Sequence, residues 1–294
     1  MTQTVTYHRT TSVAGVDIFY REAGERDAPV VVMLHGFPSS SHMYRNLIPA
    51  LADRYHVIAP DLPGFGLSGM PSSGDFDYGF ATFANIILGL LDQLGIERCA
   101  LYVMDYGAPT GFRVALARPE RVTALIIQNG NAYEDGMGDF WAPTRGYWAD
   151  NGATNRDAMR PFLSLDGTRF QYLAGMKDPA RIDPAAWLYD QLFLDRPGSA
   201  EIQLDIIYDY RTNVALYPAF HAYFRTHRSP ALILWGENDP IFLPEGAHAF
   251  LRDLPDAELH FFDTGHFALE DKADEMIPIM RDFLARNLTD EPKP

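Results

Sequence analysis

The sequence predicts an α/β protein built on a doubly wound, mostly parallel sheet. Short, unbroken apolar runs recur along the chain: Val30–Leu34, Tyr55–Ala59, Ala100–Met104, Ala124–Gln128, Ala231–Trp235 and Leu259–Phe262. Runs this short, without polar alternation, read as strands buried on both faces, as parallel strands are. Helix-length stretches separate them. Phe80–Leu94 carries Phe83, Ile86, Ile87, Leu90, Leu91 and Leu94 at helical spacing and stops at Gly95, and Met276–Leu288 is a second amphipathic helix. Alternating strands and helices make a wound sheet, whose ligand crevice lies at the carboxyl ends of its strands. Between Asn129 and His227 the pattern changes: strand-like runs vanish and aromatic residues crowd in.

In chain order, Met1–Tyr20 is polar and mixed, with no basic segment leading into an apolar one. No signal peptide or membrane span is expected there, and the expected location is cytoplasmic. The first apolar run leads directly into His35-Gly36-Phe37-Pro38, and the second ends in Pro60-Asp61-Leu62-Pro63-Gly64-Phe65-Gly66. Gly64 to Gly69 matches G-x-G-x-x-G, but it lacks the strand–helix placement of a phosphate cradle. The third run meets a sharp turn, Asp105-Tyr106-Gly107-Ala108-Pro109, from which Thr110–Ala117 continues as a helix. Trp235-Gly236-Glu237-Asn238-Asp239-Pro240 leaves the fifth run, and Asp263-Thr264-Gly265-His266-Phe267 leaves the last. Thr289–Pro294 reads as a frayed tail.

Composition bounds the function. A chain of 294 residues, 47% of them hydrophobic, suits one large α/β domain with an insertion, or two domains. The net charge of −15, with no basic run, argues against nucleic acid and anionic membranes as partners. The single cysteine, Cys99, excludes an internal disulfide framework and reads as a small core residue. No cluster of His, Cys or Asp has metal-ligand spacing, and no cofactor is implied.

The strand–Asp105–helix turn with Gly107 after it resembles the nucleophile elbow of the α/β-hydrolase superfamily, normally G-x-S-x-G and here Val103-x-Asp105-x-Gly107. Asp239 and His266 follow in the superfamily's triad order, and an aspartate in the serine's place is the mark of its epoxide hydrolases and haloalkane or haloacetate dehalogenases. The resemblance covers nearly the whole chain. It implies the α/β-hydrolase fold, with residues 1–132 and 227–294 as core and 133–226 as an inserted helical cap whose aromatics mostly fill its own interior. The Asp61–Ser68 segment then belongs to a superfamily loop.

An ionised aspartate needs no base to act as nucleophile, because its unperturbed pKa is about 3.9. It suits displacement at a saturated carbon, whereas attack on an ordinary ester would give a strained anhydride. The plainer role for Asp105 is a turn residue capping the next helix. His266 is the expected general base, activating water to hydrolyse the Asp105 ester, and Asp239 the acid that orients the ring. Glu237 competes with Asp239, and Asn129, where some dehalogenases keep their acid, carries no charge. The oxyanion hole is expected from the backbone N–H groups of Phe37 and Tyr106.

Epoxide opening needs an acid for the ring oxygen, by resemblance a pair of cap tyrosines. Tyr210, in a Tyr-Arg segment, and Tyr147 are the candidates, with Tyr217 and Tyr133 in reserve. A dehalogenase instead needs N–H donors for halide. Phe37 and Tyr106 stand where haloalkane dehalogenases carry Asn and Trp, and Tyr106 and Pro109 where fluoroacetate enzymes carry arginines. Trp148 could still offer its indole N–H, and Tyr210 its hydroxyl, to a halide. The expectation is an epoxide hydrolase acting on a small or medium apolar epoxide, with Trp148, Phe37 and Tyr106 around the substrate. The alternatives are a haloalkane or haloacid dehalogenase and a non-catalytic binding homologue. The partners are then small molecules and water, and homo-oligomerisation is left open.

Overall fold

A computed structural model describes residues 4–288. Eight strands form one sheet: β1 (Thr6–Val13), β2 (Val16–Ala23), β3 (Val30–Leu34), β4 (His56–Pro60), β5 (Cys99–Met104), β6 (Val122–Gln128), β7 (Ala231–Gly236) and β8 (Glu258–Phe262). Their order is β1-β2-β4-β3-β5-β6-β7-β8. β1 and β2, and β2 and β4, pair antiparallel, and the remaining neighbours are parallel. Each expected strand is present within a residue or two of its predicted ends. The β1–β2 hairpin was not predicted, because edge strand β1 alternates exposed and partly buried residues and shows no apolar run.

Eleven helices accompany the sheet among the described residues: α1 (Leu47–Leu51), α2 (Phe80–Gln93), α3 (Gly107–Ala117), α4 (Ala142–Ala149), α5 (Ala153–Asp157), α6 (Leu165–Leu173), α7 (Pro184–Leu194), α8 (Ser199–Asp209), α9 (Arg211–His227), α10 (Pro244–Phe250) and α11 (Leu269–Asn287). α11 starts well before the predicted Met276. Its first turns are charged, with Glu270 and Asp271 at the N-terminal end where the helix dipole favours acids, so apolar spacing does not reveal them. The predicted tail, Thr289–Pro294, lies outside the described residues.

Successive strand residues serve opposite faces, and each face has its own core. Val32, Leu34, Leu101, Val103, Leu125 and Ile127 cluster with Leu90, Phe112 and Val114 of α2 and α3. Val31, Met33, Ala100, Tyr102 and Ile126 cluster instead with Leu47, Met276 and Phe283 of α1 and α11. Being covered on both faces is why these strands are unbroken apolar runs.

α4 to α9 all lie between β6 and β7, where no strand occurs among the described residues. Specific bonds tie this helical segment to the rest of the fold. Trp141 donates its indole N–H to the Ile241 carbonyl at 2.7 Å. Asp209, at the end of α8, accepts the Phe80 N–H at 2.8 Å and so caps α2. Arg113 of α3 donates to Thr212 and Asn213 of α9. Tyr210, between α8 and α9, is thereby held against the two helices nearest the Asp105 turn.

Gly107 is the tightest point of that turn, for a Cβ there would overlap the Leu34 carbonyl oxygen of β3. Gly95 ends α2 at φ +67° with nothing within 4 Å of an added Cβ. Gly107→Ala is expected to lose roughly 3 kcal/mol of stability, as overpacking does, and Gly95→Ala about 1–2 kcal/mol from backbone strain. Urea unfolding of both variants measures this, and equal losses would show that β3 yields freely to α3.

Candidate active site

The carboxyl ends of β5, β7 and β8 deliver three side chains to one place. Asp105 follows β5 directly with φ +48°, a left-handed backbone that non-glycine residues seldom adopt. Its backbone is fixed by the Asp105 N–H to the Asn129 carbonyl (3.3 Å) and the Ala108 N–H to the Asp105 carbonyl (3.0 Å). The turn pushes the carboxylate out of the sheet onto the β3 loop, where the Phe37 N–H donates to Oδ1 at 2.6 Å. The Tyr106 backbone N–H also supports the carboxylate. One oxygen is therefore pinned, and the other, Oδ2, lies 3.8 Å from Nε2 of His266.

His266 is fully buried in the loop after β8. Its Nδ1 meets Asp239 Oδ2 at 2.7 Å, while Nε2 has no hydrogen-bond partner. Asp239 is itself braced, with Oδ1 accepting the Ile241 N–H at 2.7 Å and Oδ2 the Asn129 amide at 2.8 Å. Asn129 also accepts the Gly236 N–H at 3.1 Å, so it braces the Asp239 carboxylate between β6 and β7. The rival Glu237 is exposed, as are His227 and His248.

Burial drives the electrostatics. It pushes the Asp105 carboxyl up to about 6, against the opposing pull of His266 and the two backbone N–H groups. Burial disfavours the His266 imidazolium, but Asp239 and Asp105 more than offset it and the ring's pKa is raised. Cys99 is buried, and burial pushes its thiol up to about 12, which makes it an inert core residue.

A cavity opens onto Asp105, with about 500 Å³ of empty space including its mouth. Its lining comprises Phe37, Tyr106, Phe140, Trp141, Thr144, Phe162, Gln171, Ile207, Tyr210 and Ile241 besides Asp105. Of the expected cap residues, only Tyr210 is there. It is 1% exposed, and its hydroxyl, beside that of Tyr217, has no partner at hydrogen-bonding geometry. Burial first, then the Tyr217 and Asp105 neighbours, raise its pKa well above 10, so it keeps its proton. Tyr217 stands behind it and is bonded by the Asn131 amide.

Two expectations need correction. The Tyr147 hydroxyl accepts from Arg156 at 2.8 Å and reaches the Leu204 carbonyl at 3.3 Å, so it belongs to the interior of the helical segment and not to the cavity. Trp148 stacks on Tyr210 from outside, and its indole N–H is taken by the Ile207 carbonyl at 2.8 Å. Trp148 therefore has no N–H left for a halide, whereas the Tyr210 hydroxyl remains unpartnered. Tyr133, the other reserve, is bonded to Asp253. Trp141, Gln171, Phe140 and Phe162 were missed as cavity residues, since the helical segment shows no sequence period for a wall that it shares with the rest of the fold.

His35 was read only as part of a loop. Its Nε2 accepts the Leu62 N–H at 2.9 Å and its Nδ1 faces the Gly36 carbonyl, which locks the chain leading into Phe37. The glycine-rich Gly64–Gly69 segment is likewise structural: Asp61 accepts the Leu67 N–H, and Arg196 donates to the Gly64 and Gly66 carbonyls. Among the described residues no acid, His or Cys group could hold a metal, and no helix is long and apolar enough to cross a membrane.

Comparison with known proteins identifies the family and the fold. Residues 29–273 match the family model for the alpha/beta hydrolase fold. An uncharacterized hydrolase of Saccharomyces cerevisiae is 43% identical, over 90% of this chain and 92% of its own length. A cis-3-alkyl-4-alkyloxetan-2-one decarboxylase of Xanthomonas campestris is 31% identical, over 93% and 94%. The crystal structure of a haloalkane dehalogenase from Bradyrhizobium elkani superposes with TM-score 0.76 at 26% identity, covering 96% of this chain and 98% of that one. An epoxide hydrolase structure, at 22% identity and TM-score 0.79 over 96% and 99%, shares the fold.

The buried carboxylate gives a prediction independent of any substrate. Asp105 should titrate near pH 6, ionised above and protonated below. His266→Gln removes the cation that favours the ionised form, so the midpoint should rise. ¹³C-NMR of labelled carboxylates, assigned with Asp105→Asn, reads it. An ordinary carboxylate midpoint would show that solvent reaches the site.

Proposed function

The chain belongs to the α/β-hydrolase family, and we propose that it opens epoxides to diols through a covalent ester on Asp105. The observation that carries this reading is the divided carboxylate: Oδ1 held by the Phe37 N–H, Oδ2 free toward the cavity and His266. A serine hydrolase needs its histidine to activate the nucleophile. Here the nucleophile is already anionic above about pH 6, and the ring is left for the second step.

In the first step Oδ2 forms a bond to an epoxide carbon, the C–O ring bond breaks, and the departing oxygen takes a proton from Tyr210. Esterification removes the Asp105 charge that helps raise the His266 pKa, so the imidazole becomes a better-populated neutral base when it is needed. In the second step Nε2 takes a proton from water as its oxygen attacks Cγ, and the Phe37 and Tyr106 N–H groups hold Oδ1 as the oxyanion. Collapse releases the second product oxygen. The imidazolium and the new carboxyl group return protons to that oxygen and to Tyr210. The helical segment 133–226 acts as the cap that excludes bulk water.

The relatives' names fit a shared step, because an epoxide, an oxetan-2-one and a haloalkane each present a carbon bonded to a leaving oxygen or halogen. A haloalkane is the second reading, favoured by the dehalogenase likeness. It ranks lower because the indole N–H groups of Trp141 and Trp148 are both committed to carbonyls. A haloacid ranks lower still, since the cavity lining pairs Asp105 with no cation.

Purified protein is to be screened with epoxides, haloalkanes and oxetan-2-ones, following diol, halide and ring-opened products. His266→Gln should accumulate substrate mass on the Asp105 peptide, and an adduct on a serine or cysteine would overturn the mechanism. Tyr210→Phe should slow alkylation by roughly 10²–10³, while Tyr147→Phe should leave it unchanged. Epoxide opening indifferent to Tyr210→Phe would remove the proposed acid.

A further inference from the structure

One wall of the cavity carries a polar group that the reaction above does not use. Gln171 lies in α6, is 5% exposed and lines the cavity among apolar neighbours such as Phe140 and Phe162. Its Nε2 is buried with no hydrogen-bond partner. A buried amide left unpaired is destabilising, and leucine or methionine would fill the same wall without that loss. The neighbouring donors are already committed, Trp141 to the Ile241 carbonyl and Thr144 to the Met159 sulfur.

Gln171 cannot readily turn away. The next residue, Tyr172, stacks on Phe267 with ring centres 4.0 Å apart and donates to Asp190 of α7. Thr168, one turn earlier, donates to Gln191 at 2.7 Å. α6 is thus clamped against both the His266 loop and its helical neighbour. Tyr210 enters the cavity from elsewhere, packed on Phe80 and Tyr106. Gln171 and Tyr210 thus reach the cavity from separate elements of the chain.

We propose that Gln171 is a specificity-determining residue that hydrogen-bonds a neutral polar group of the substrate distinct from the bond being broken. The inference rests on the aspartate-alkylation reading and deepens it. The substrate class becomes an epoxide that also carries an ether, carbonyl or hydroxyl group, in place of a plain hydrocarbon epoxide. Neutrality follows from the lining: Gln171 carries no charge, and Asp105 is the only charged residue among those that line the cavity. The amide serves an acceptor through Nε2 or, turned over, a donor through its oxygen.

The test uses the full-length His266→Gln protein, with and without Gln171→Leu, and two probes: an alkyl epoxide and the glycidyl ether of the same chain length. Mass spectrometry follows the rate of adduct formation on Asp105 against probe concentration. Gln171→Leu is expected to raise the half-saturating concentration of the ether about tenfold, one hydrogen bond's worth, while the maximal rate and the alkyl epoxide stay unchanged. Gln171→Met, nearly isosteric, should repeat the result, and thermal unfolding checks that both variants fold. Equal effects on the two probes, or none on either, would overturn the inference and leave Nε2 to an ordered water. Adduct absent from Asp105 with both probes, while Gln171 is intact, would instead overturn the alkylation reading, and the inference with it.

Discussion

The left-handed backbone of Asp105 is the constraint on which the site depends. An L-residue at φ +48° is strained, and the surroundings must over-determine it. β5 delivers the residue from a fully buried strand, and α3 starts immediately after it with Gly107 lying against the Leu34 carbonyl. The strain is repaid in direction: the side chain leaves the sheet plane and meets the Phe37 N–H. A relaxed turn would lay the carboxylate along the strand, away from His266. The burial that raises its pKa to about 6 is part of the same arrangement, because the turn that aims the carboxylate at the Phe37 N–H also takes it out of solvent.

The fold was legible wherever burial was two-sided. β3 to β7 are covered above and below, so their runs are apolar throughout and their limits follow closely from sequence. The β1–β2 hairpin lies at the sheet edge, where Thr6–Val13 alternates with solvent, and a search for continuous runs passes over it. The start of α11 was hidden for a related reason. Its first turns take their stability from charge near the helix end, which leaves no hydrophobic trace.

The site was legible to the same degree. Asp105 follows β5 directly, and Asp239 and His266 lie in the short loops just after β7 and β8, so finding the strands brings the three near one another. The helical segment has no such grammar. Tyr147 and Tyr210 look alike in sequence, yet one hydroxyl is spent on Arg156 and the other lies unpartnered at the cavity. What separates them is the anchoring of the α8–α9 junction by Asp209 and Arg113, contacts that span the chain and have no local signature. Trp148 was misplaced for the same reason, since it supports Tyr210 from behind.

The pairing of Asn129 with Asp239 bears on how such a centre is held together. β6 and β7 are adjacent parallel strands, so their carboxyl ends open beside each other, and the amide of one already touches the carboxylate of the other. Both ends therefore converge on the carboxylate that meets the imidazole. The place of the ring's partner is set by the spacing of the two strands as much as by any one loop. Two neighbouring strand ends thus share the support of a single ring.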